Sequence, residues 1–165
     1  PTRRQRQMCI RDSLKVVNSF KGLNYRQQIV YNKKKFLIIN DSKSTSFSST
    51  VPLLQSYENI YWILGGLAKK GDKLNLNKKY FKKIKAYIYG TNKAFFLNVL
   101  KNKCRLHSSK NLKDILSKLF LDIKKNKNGK KTILFSPAAA SFDQFKNFEE
   151  RGRYFNQLLK KYINA

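Results

Sequence analysis

The sequence predicts an α/β domain of Rossmann-like type: a mostly parallel sheet flanked by helices, with an N-terminal β-hairpin. Three observations lead there. Strand-like runs alternate with helical ones along the chain. Several of the strand-like runs are short and continuously apolar, the pattern of strands buried on both faces. The chain has 165 residues, 41% hydrophobic and 13% aromatic, which suits one domain with a sizeable core rather than a disordered chain.

Gln27–Tyr31 and Phe36–Ile39 are β-rich runs on either side of the polar Asn32–Lys35 and read as a hairpin. The polar stretch Asn40–Thr50 leads into a helix ending near Tyr57. Ile60–Leu64 (IYWIL), closed by Gly65–Gly66, reads as a central strand. A helix is expected around Asn77–Ile84, then a strand at Ala86–Tyr89 closed by Gly90, a helix over Ala94–Leu100 and a short strand near Cys104–His107. Leu112, Ile115, Leu116, Leu119 and Ile123 recur at helical spacing. After a turn at Asn126–Lys131 comes the strand Thr132–Phe135. The last helix is expected to start near Ser141, with Phe145, Phe148, Phe155, Leu158, Leu159 and Tyr162 on its buried side.

Residues 1–13, PTRRQRQMCIRDS, are arginine-rich where the remainder is lysine-rich. They resemble a translated sequencing adapter, so the domain is taken as 14–165 and 1–13 as a non-native leader.

No apolar run is long enough for a membrane span. Cys9 and Cys104 have no paired spacing, and His107 is the single histidine, so neither zinc nor a disulfide framework is supported and a reducing cytoplasm is the default. The formal charge is +27. It is read as the residue bias of AT-rich coding, which enriches Lys, Asn, Ile, Phe and Tyr together; the resulting field still favours anionic ligands. The alternative is a basic nucleic-acid-binding protein.

Three polar clusters each follow an expected strand: Asn40–Ser46 (NDSKSTS), Gly65–Asp72 (GGLAKKGD) and Ser136–Ser141 (SPAAAS). Parallel strands would bring all three to one sheet edge, where ligands of open α/β sheets bind. Their chemistry suits an anion. Lys43, Lys69 and Lys70 supply charge, Ser42, Thr45 and Ser141 hydroxyls, and Gly65 and Gly66 close backbone approach. Ser141 and Gln144 have capping-box spacing, and a helix start accommodates carboxylate or phosphate. Asp41 could hold a ribose hydroxyl or a magnesium-bound water.

Each also has a plainer reading. Ser141 serves as an N-cap, Asp41 as a turn residue, Lys69 and Lys70 as solvated lysines, Phe142, Phe145 and Phe148 as core. His107 is structural or exposed, and Cys104 a buried apolar residue. Gly129–Thr132 (GKKT) looks like the end of a P-loop, but the glycine required five positions earlier is Lys124, and a strand follows rather than a helix.

Several segments resemble the Mur ligase family, specifically its D-glutamate-adding branch. Ser141–Gly152 (SFDQFKNFEERG), preceded by FSPAAA, is similar to the carboxy-terminal signature of that branch. Ile38–Ser46 is similar to its INDSKATN loop, Ser19–Arg26 to its FxGLPHR segment, and Gly65–Asp72 to its GGxxK loop. The segments come in family order and cover about residues 14–163. The resemblance implies the third, Rossmann-like domain of an ATP-dependent ligase of peptidoglycan synthesis. Such an enzyme joins D-glutamate to UDP-N-acetylmuramoyl-L-alanine through an acyl phosphate, using ATP and Mg²⁺.

Carried over by position, Thr45, Lys69, Ser141, Phe142 and Phe148 would form the D-glutamate pocket. Lys69 and Ser141 would meet the side-chain carboxylate and Thr45 the α-carboxylate, with Lys70 an alternative to Lys69. Arg26, Asp41 and Lys43 would face ATP. The family's Pro-His before the arginine is Asn24–Tyr25 here, its asparagine after Thr45 is Ser46, and Phe142 stands where leucine is common. With the UDP-binding and P-loop domains of a full ligase outside this sequence, no turnover is expected from the chain alone. The expected state is a cytoplasmic monomer with no nucleic-acid or membrane partner.

Overall fold

The computed structural model describes residues 22–33, 35–126 and 129–163. The leader assigned to 1–13 and the first part of the Ser19–Arg26 segment lie outside them.

In chain order the elements are β1 (Gln28–Lys33), β2 (Phe36–Asn40), α1 (Phe47–Ser56), β3 (Ile60–Gly65), α2 (Lys78–Phe81), β4 (Ile84–Tyr89), α3 (Lys93–Leu100), β5 (Arg105–Ser108), α4 (Leu112–Lys125), β6 (Lys131–Phe135) and α5 (Phe148–Ile163). The strands form a six-stranded sheet ordered β1-β2-β6-β3-β4-β5. β1 pairs antiparallel with β2, and all other pairings are parallel. The expected hairpin and the α/β class are both present.

β3 and β6 are buried along their whole length. Apart from Lys131 and Thr132 at the start of β6 they are apolar, as strands covered by helices on both faces can be. Successive strand residues serve opposite cores. Tyr61, Ile63, Tyr87, Tyr89, Ile133 and Phe135 pack with α4 and α5. Ile60, Trp62, Leu64, Ile84, Ala86, Ile88 and Leu134 pack with α1, α2 and α3. Phe155 stacks on Phe135 at 4.2 Å between ring centroids and is joined in the first core by Leu158 and Leu159. Each such apolar side chain contributes roughly 1.5–3 kcal/mol on burial.

The sequence-derived boundaries shift in three places. The helix expected over Asn77–Ile84 is a single turn, Lys78–Phe81, because Ile84 already belongs to β4. The last helix begins at Phe148, not near Ser141. Ser141 carries only a turn, its carbonyl accepting from the amides of Gln144 and Phe145. The functional start is Asn147, whose Oδ1 accepts from Glu150 N at 2.8 Å, while Glu150 Oε2 accepts from Lys146 N at 2.7 Å. This is close to a reciprocal cap, six residues after the one expected. Phe142 is 70% exposed, so its core reading does not hold.

β6 lies between β2 and β3, yet the chain leaves it toward α5 on one face, whereas it leaves β2 and β3 toward the other. Neighbouring strands whose connections diverge open a crevice at their carboxyl ends. The three polar clusters follow these strands.

Candidate functional site

The loop after β2 is anchored before it reaches its cations. Asn40 Nδ2 donates to Gly152 O at 2.9 Å and to Asn156 Oδ1 at 2.8 Å, tying the strand end to α5. Its Oδ1 accepts from Ser42 N at 3.1 Å. Asp41 N donates to Phe135 O at 2.7 Å, extending the β2–β6 pairing. Ser42 Oγ donates to Phe148 O at 2.8 Å.

The loop after β6 is tied to the one after β3. Leu67 and Ala140 form an antiparallel bridge, and Gly65 N donates to Pro137 O at 3.0 Å. Gly66, at φ +127°, lies so close to Ala140 O that an added Cβ would collide with it; glycine is required there for both reasons. The β3 loop is also tied to the β2 loop. Asp72 Oδ2 accepts from Phe47 N, the first helical amide of α1, at 2.7 Å. Ser46, the N-cap of α1, makes no side-chain cap of its own, so a carboxylate from another loop fills that role.

These bonds bring the loops carrying Thr45, Lys69 and Ser141 to one sheet edge. Within it, Ser141 is buried, Phe148 is half-buried, and Thr45, Lys69, Lys70 and Phe142 are exposed. Lys43 Nζ stands 4.1 Å over the Phe148 ring, a contact that holds the ammonium toward the β6 loop.

Arg26, Asp41 and Lys43 do come together. With Gln27, Ser44 and Ser49 they line a cleft of about 320 Å³. Lys43 N donates to Tyr25 O at 3.0 Å, and Gln27 N donates to Asp41 Oδ1 at 3.1 Å, clamping the segment before β1 over the loop. Tyr25 and Gln27 both take positive φ, 62° and 49°, an uncommon conformation for non-glycine residues held here by those bonds.

Asp41 is 6% exposed. Burial pushes its carboxyl up, against the lowering effect of bonds from Ser136 and Gln27. Behind it runs a line of hydroxyls. Ser136 Oγ donates to Asp41 Oδ2 at 2.9 Å, Thr50 Oγ1 lies 2.8 Å from Ser136 Oγ, and Ser44 Oγ lies 2.7 Å from Thr50 Oγ1. With both carboxylate oxygens already engaged, Asp41 suits a role through water or a hydroxyl better than direct metal ligation. Among the described residues no three His, Cys, Asp or Glu side chains cluster as a metal site.

Arg151 is the residue that sequence reasoning missed. It is fully buried, donating to Ser42 Oγ, Ser42 O and Ala139 O. The Glu-Arg-Gly at the end of the resembling signature was the available signal. His107 is structural: it stacks on Tyr87 at 4.9 Å, and burial lowers its pKa. Among the described residues no helix is long and apolar enough to cross a membrane.

No family model matches the chain. It is 39% identical over 145 residues to a UDP-N-acetylmuramoylalanine–D-glutamate ligase of Wolbachia sp. subsp. Brugia malayi (strain TRS), covering 88% of this chain and 29% of the relative. Against the enzyme of that name from Rickettsia prowazekii (strain Madrid E) identity is 38%, covering 90% of this chain and 34% of the relative. For Rhizobium meliloti (strain 1021) it is 37%, covering 88% and 31%. The chain thus spans about three-tenths of the length of the curated relatives it matches.

Proposed function

Taking as premise that this chain belongs to the Mur ligase family, its D-glutamate-adding branch, we propose that it forms the amino-acid pocket and one wall of the nucleotide cleft of such a ligase. In this reading Lys69 and Ser141 hold the side-chain carboxylate of D-glutamate and Thr45 its α-carboxylate. Phe142 offers its backbone N–H and Phe148 an apolar flank. Arg26 and Lys43 face the phosphates of ATP, where fixed cations stabilise charge as it moves in phosphoryl transfer. Asp41 orients a ribose hydroxyl or a magnesium-bound water. ATP supplies the phosphoryl group that activates the substrate carboxylate, and Mg²⁺ is held mainly by regions beyond this chain. The complete reaction joins D-glutamate to UDP-N-acetylmuramoyl-L-alanine and requires those regions, so the chain alone is not expected to turn over.

The observation that carries this reading is the meeting of the β2, β3 and β6 loops at one switch point, stitched by the Leu67–Ala140 bridge and the Asp72–Phe47 bond.

Titration of the chain with D- and L-glutamate, followed by amide chemical shifts, tests it. D-glutamate should bind saturably and more tightly than L-glutamate. Lys69→Ala should weaken it by the roughly 1.5–3 kcal/mol of a charged hydrogen bond. Equal shifts for both enantiomers, or silence of both Lys69→Ala and Lys70→Ala, would overturn the assignment. The +27 charge favours a second reading, a nucleic-acid-binding protein. That reading requires binding to random DNA with a steep salt dependence.

A further inference from the structure

A guanidinium taken wholly out of water needs compensation, and burial of Arg151 is complete. None of the ion pairs among the described residues involves it. Its compensation comes from two loop carbonyls and the Ser42 hydroxyl. Nη2 donates to Ser42 O at 2.6 Å, Nη1 to Ala139 O at 3.0 Å and Nε to Ser42 Oγ at 3.1 Å. The third loop lies beside it: a Cβ added at Gly66 would stand 3.2 Å from Nη1. One side chain, projecting from α5, therefore bonds to the loops after β2 and β6 and lies next to the loop after β3.

The acceptors are placed one or two residues before the groups that face the crevice. Ser42 precedes Lys43, and Ala139 precedes Ala140 and Ser141. Beneath them, the Tyr89 hydroxyl and Asp143 Oδ1 are buried with no hydrogen-bond partner among the described residues, and the Arg151 charge acts on both. The planar fork of arginine can serve several fixed acceptors at once, which a lysine ammonium on a flexible stem does less well.

We propose that Arg151 is the positioning residue of the site: it sets the spacing of the Lys43 and Ser141 loops without touching ligand. The D-glutamate part of the test rests on the function proposed above; the loop-ordering part does not.

The experiment compares Arg151→Lys with Leu159→Ala, a core truncation on the same helix, and with Ser42→Ala, which leaves the arginine in place but removes the Ser42 Oγ bonds to both Arg151 Nε and Phe148 O. Two quantities are read in the whole chain: D-glutamate affinity by titration, and amide exchange at Lys43, Ser44, Leu67 and Ala140, all hydrogen-bonded in the loops. Arg151→Lys should weaken D-glutamate about tenfold or more and raise exchange at those amides by a similar factor. Leu159→Ala, though destabilised, should keep both within about twofold of the parent after correction for global unfolding. Ser42→Ala should shift both quantities in the same direction by less; if Arg151→Lys does not fold, Arg151→Gln, which keeps a donor but loses the fork and the charge, decides the matter by the same comparison. Loop exchange in Arg151→Lys or Ser42→Ala no faster than in Leu159→Ala overturns the proposal, whatever happens to the ligand. If the parent fails to bind D-glutamate while the exchange contrast holds, the ligand assignment falls and the positioning role stands.

Discussion

Replacing Asp72 by alanine tests whether the β3 loop is held by a borrowed helix cap. Asp72 Oδ2 accepts from Phe47 N at 2.7 Å, and the N-cap Ser46 leaves its own capping position unused. Loss of an N-terminal cap costs about 0.5–2 kcal/mol, and the carboxylate adds roughly 0.3–1 kcal/mol by interacting with the helix dipole. The two overlap, so the expected cost is about 1–2 kcal/mol. At roughly 2–4 °C per kcal/mol for a chain of this size, the midpoint should fall by about 2–8 °C. Trp62, the single tryptophan of the chain, is buried and donates from Nε1 to Ser136 O at 2.8 Å, so its emission reports unfolding at the site itself. Asp72→Asn keeps an acceptor without the charge and should lose about half as much. Because Asp72 N also bonds to Lys69 O at 3.1 Å, the alanine variant should show faster amide exchange in this loop. A midpoint change under about 1 °C for the alanine variant would show that α1 does not need this carboxylate and that the loop is held by other means.

Gly66→Ala combines strained φ with a collision on the Ala140 carbonyl and should cost about 2–5 kcal/mol in urea unfolding. Gly71→Ala, at φ +77° with no neighbour within 4 Å, should cost only about 1 kcal/mol; equal costs would remove the packing part of the argument. Asp41→Asn should change stability with a defined pH sign. Burial raises the Asp41 carboxyl above its ordinary 3.8, so its support of the fold is complete below the unfolded value and is lost as pH rises through the folded one. The stability of the asparagine variant relative to the parent should therefore increase with pH across the acid range, read by denaturant unfolding at a series of pH values. A difference that shrinks as pH rises would contradict the sign.

The sheet was legible because its inner strands are almost wholly apolar: IYWIL and TILF carry a single Thr, Thr132, among apolar residues, and both are buried throughout. Order along the chain then sufficed to predict that the Asn40–Ser46, Gly65–Asp72 and Ser136–Ser141 loops would meet. The start of the last helix was not legible. Ser141 and Gln144 have the spacing of a cap, but Asp143 turns instead toward the loop after β4, where its Oδ2 accepts from Thr91 N at 3.5 Å, and the backbone becomes helical only after Asn147. Arg151 was also hidden, because an arginine on an amphipathic helix reads as solvent-facing. Its burial depends on carbonyls contributed by residues 109 and 12 positions earlier in the chain, which the Glu-Arg-Gly of the signature marks but does not explain.

The line of hydroxyls behind Asp41 has a polarity. Each hydroxyl has one proton to give, and Ser136 gives its proton to Asp41. Thr50 must then supply the proton of its contact with Ser136, while Ser44 has one proton for two neighbours, Thr50 and Ser49, because Ser49 gives its own to Ser46 O. Protonating Asp41 gives it a hydrogen to donate to Ser136, which frees Thr50 to turn its proton to Ser44 and Ser44 to give its own to Ser49. Charge on one buried carboxylate is thereby linked to the hydrogen-bond direction at Ser44, on the cleft, through two intervening side chains.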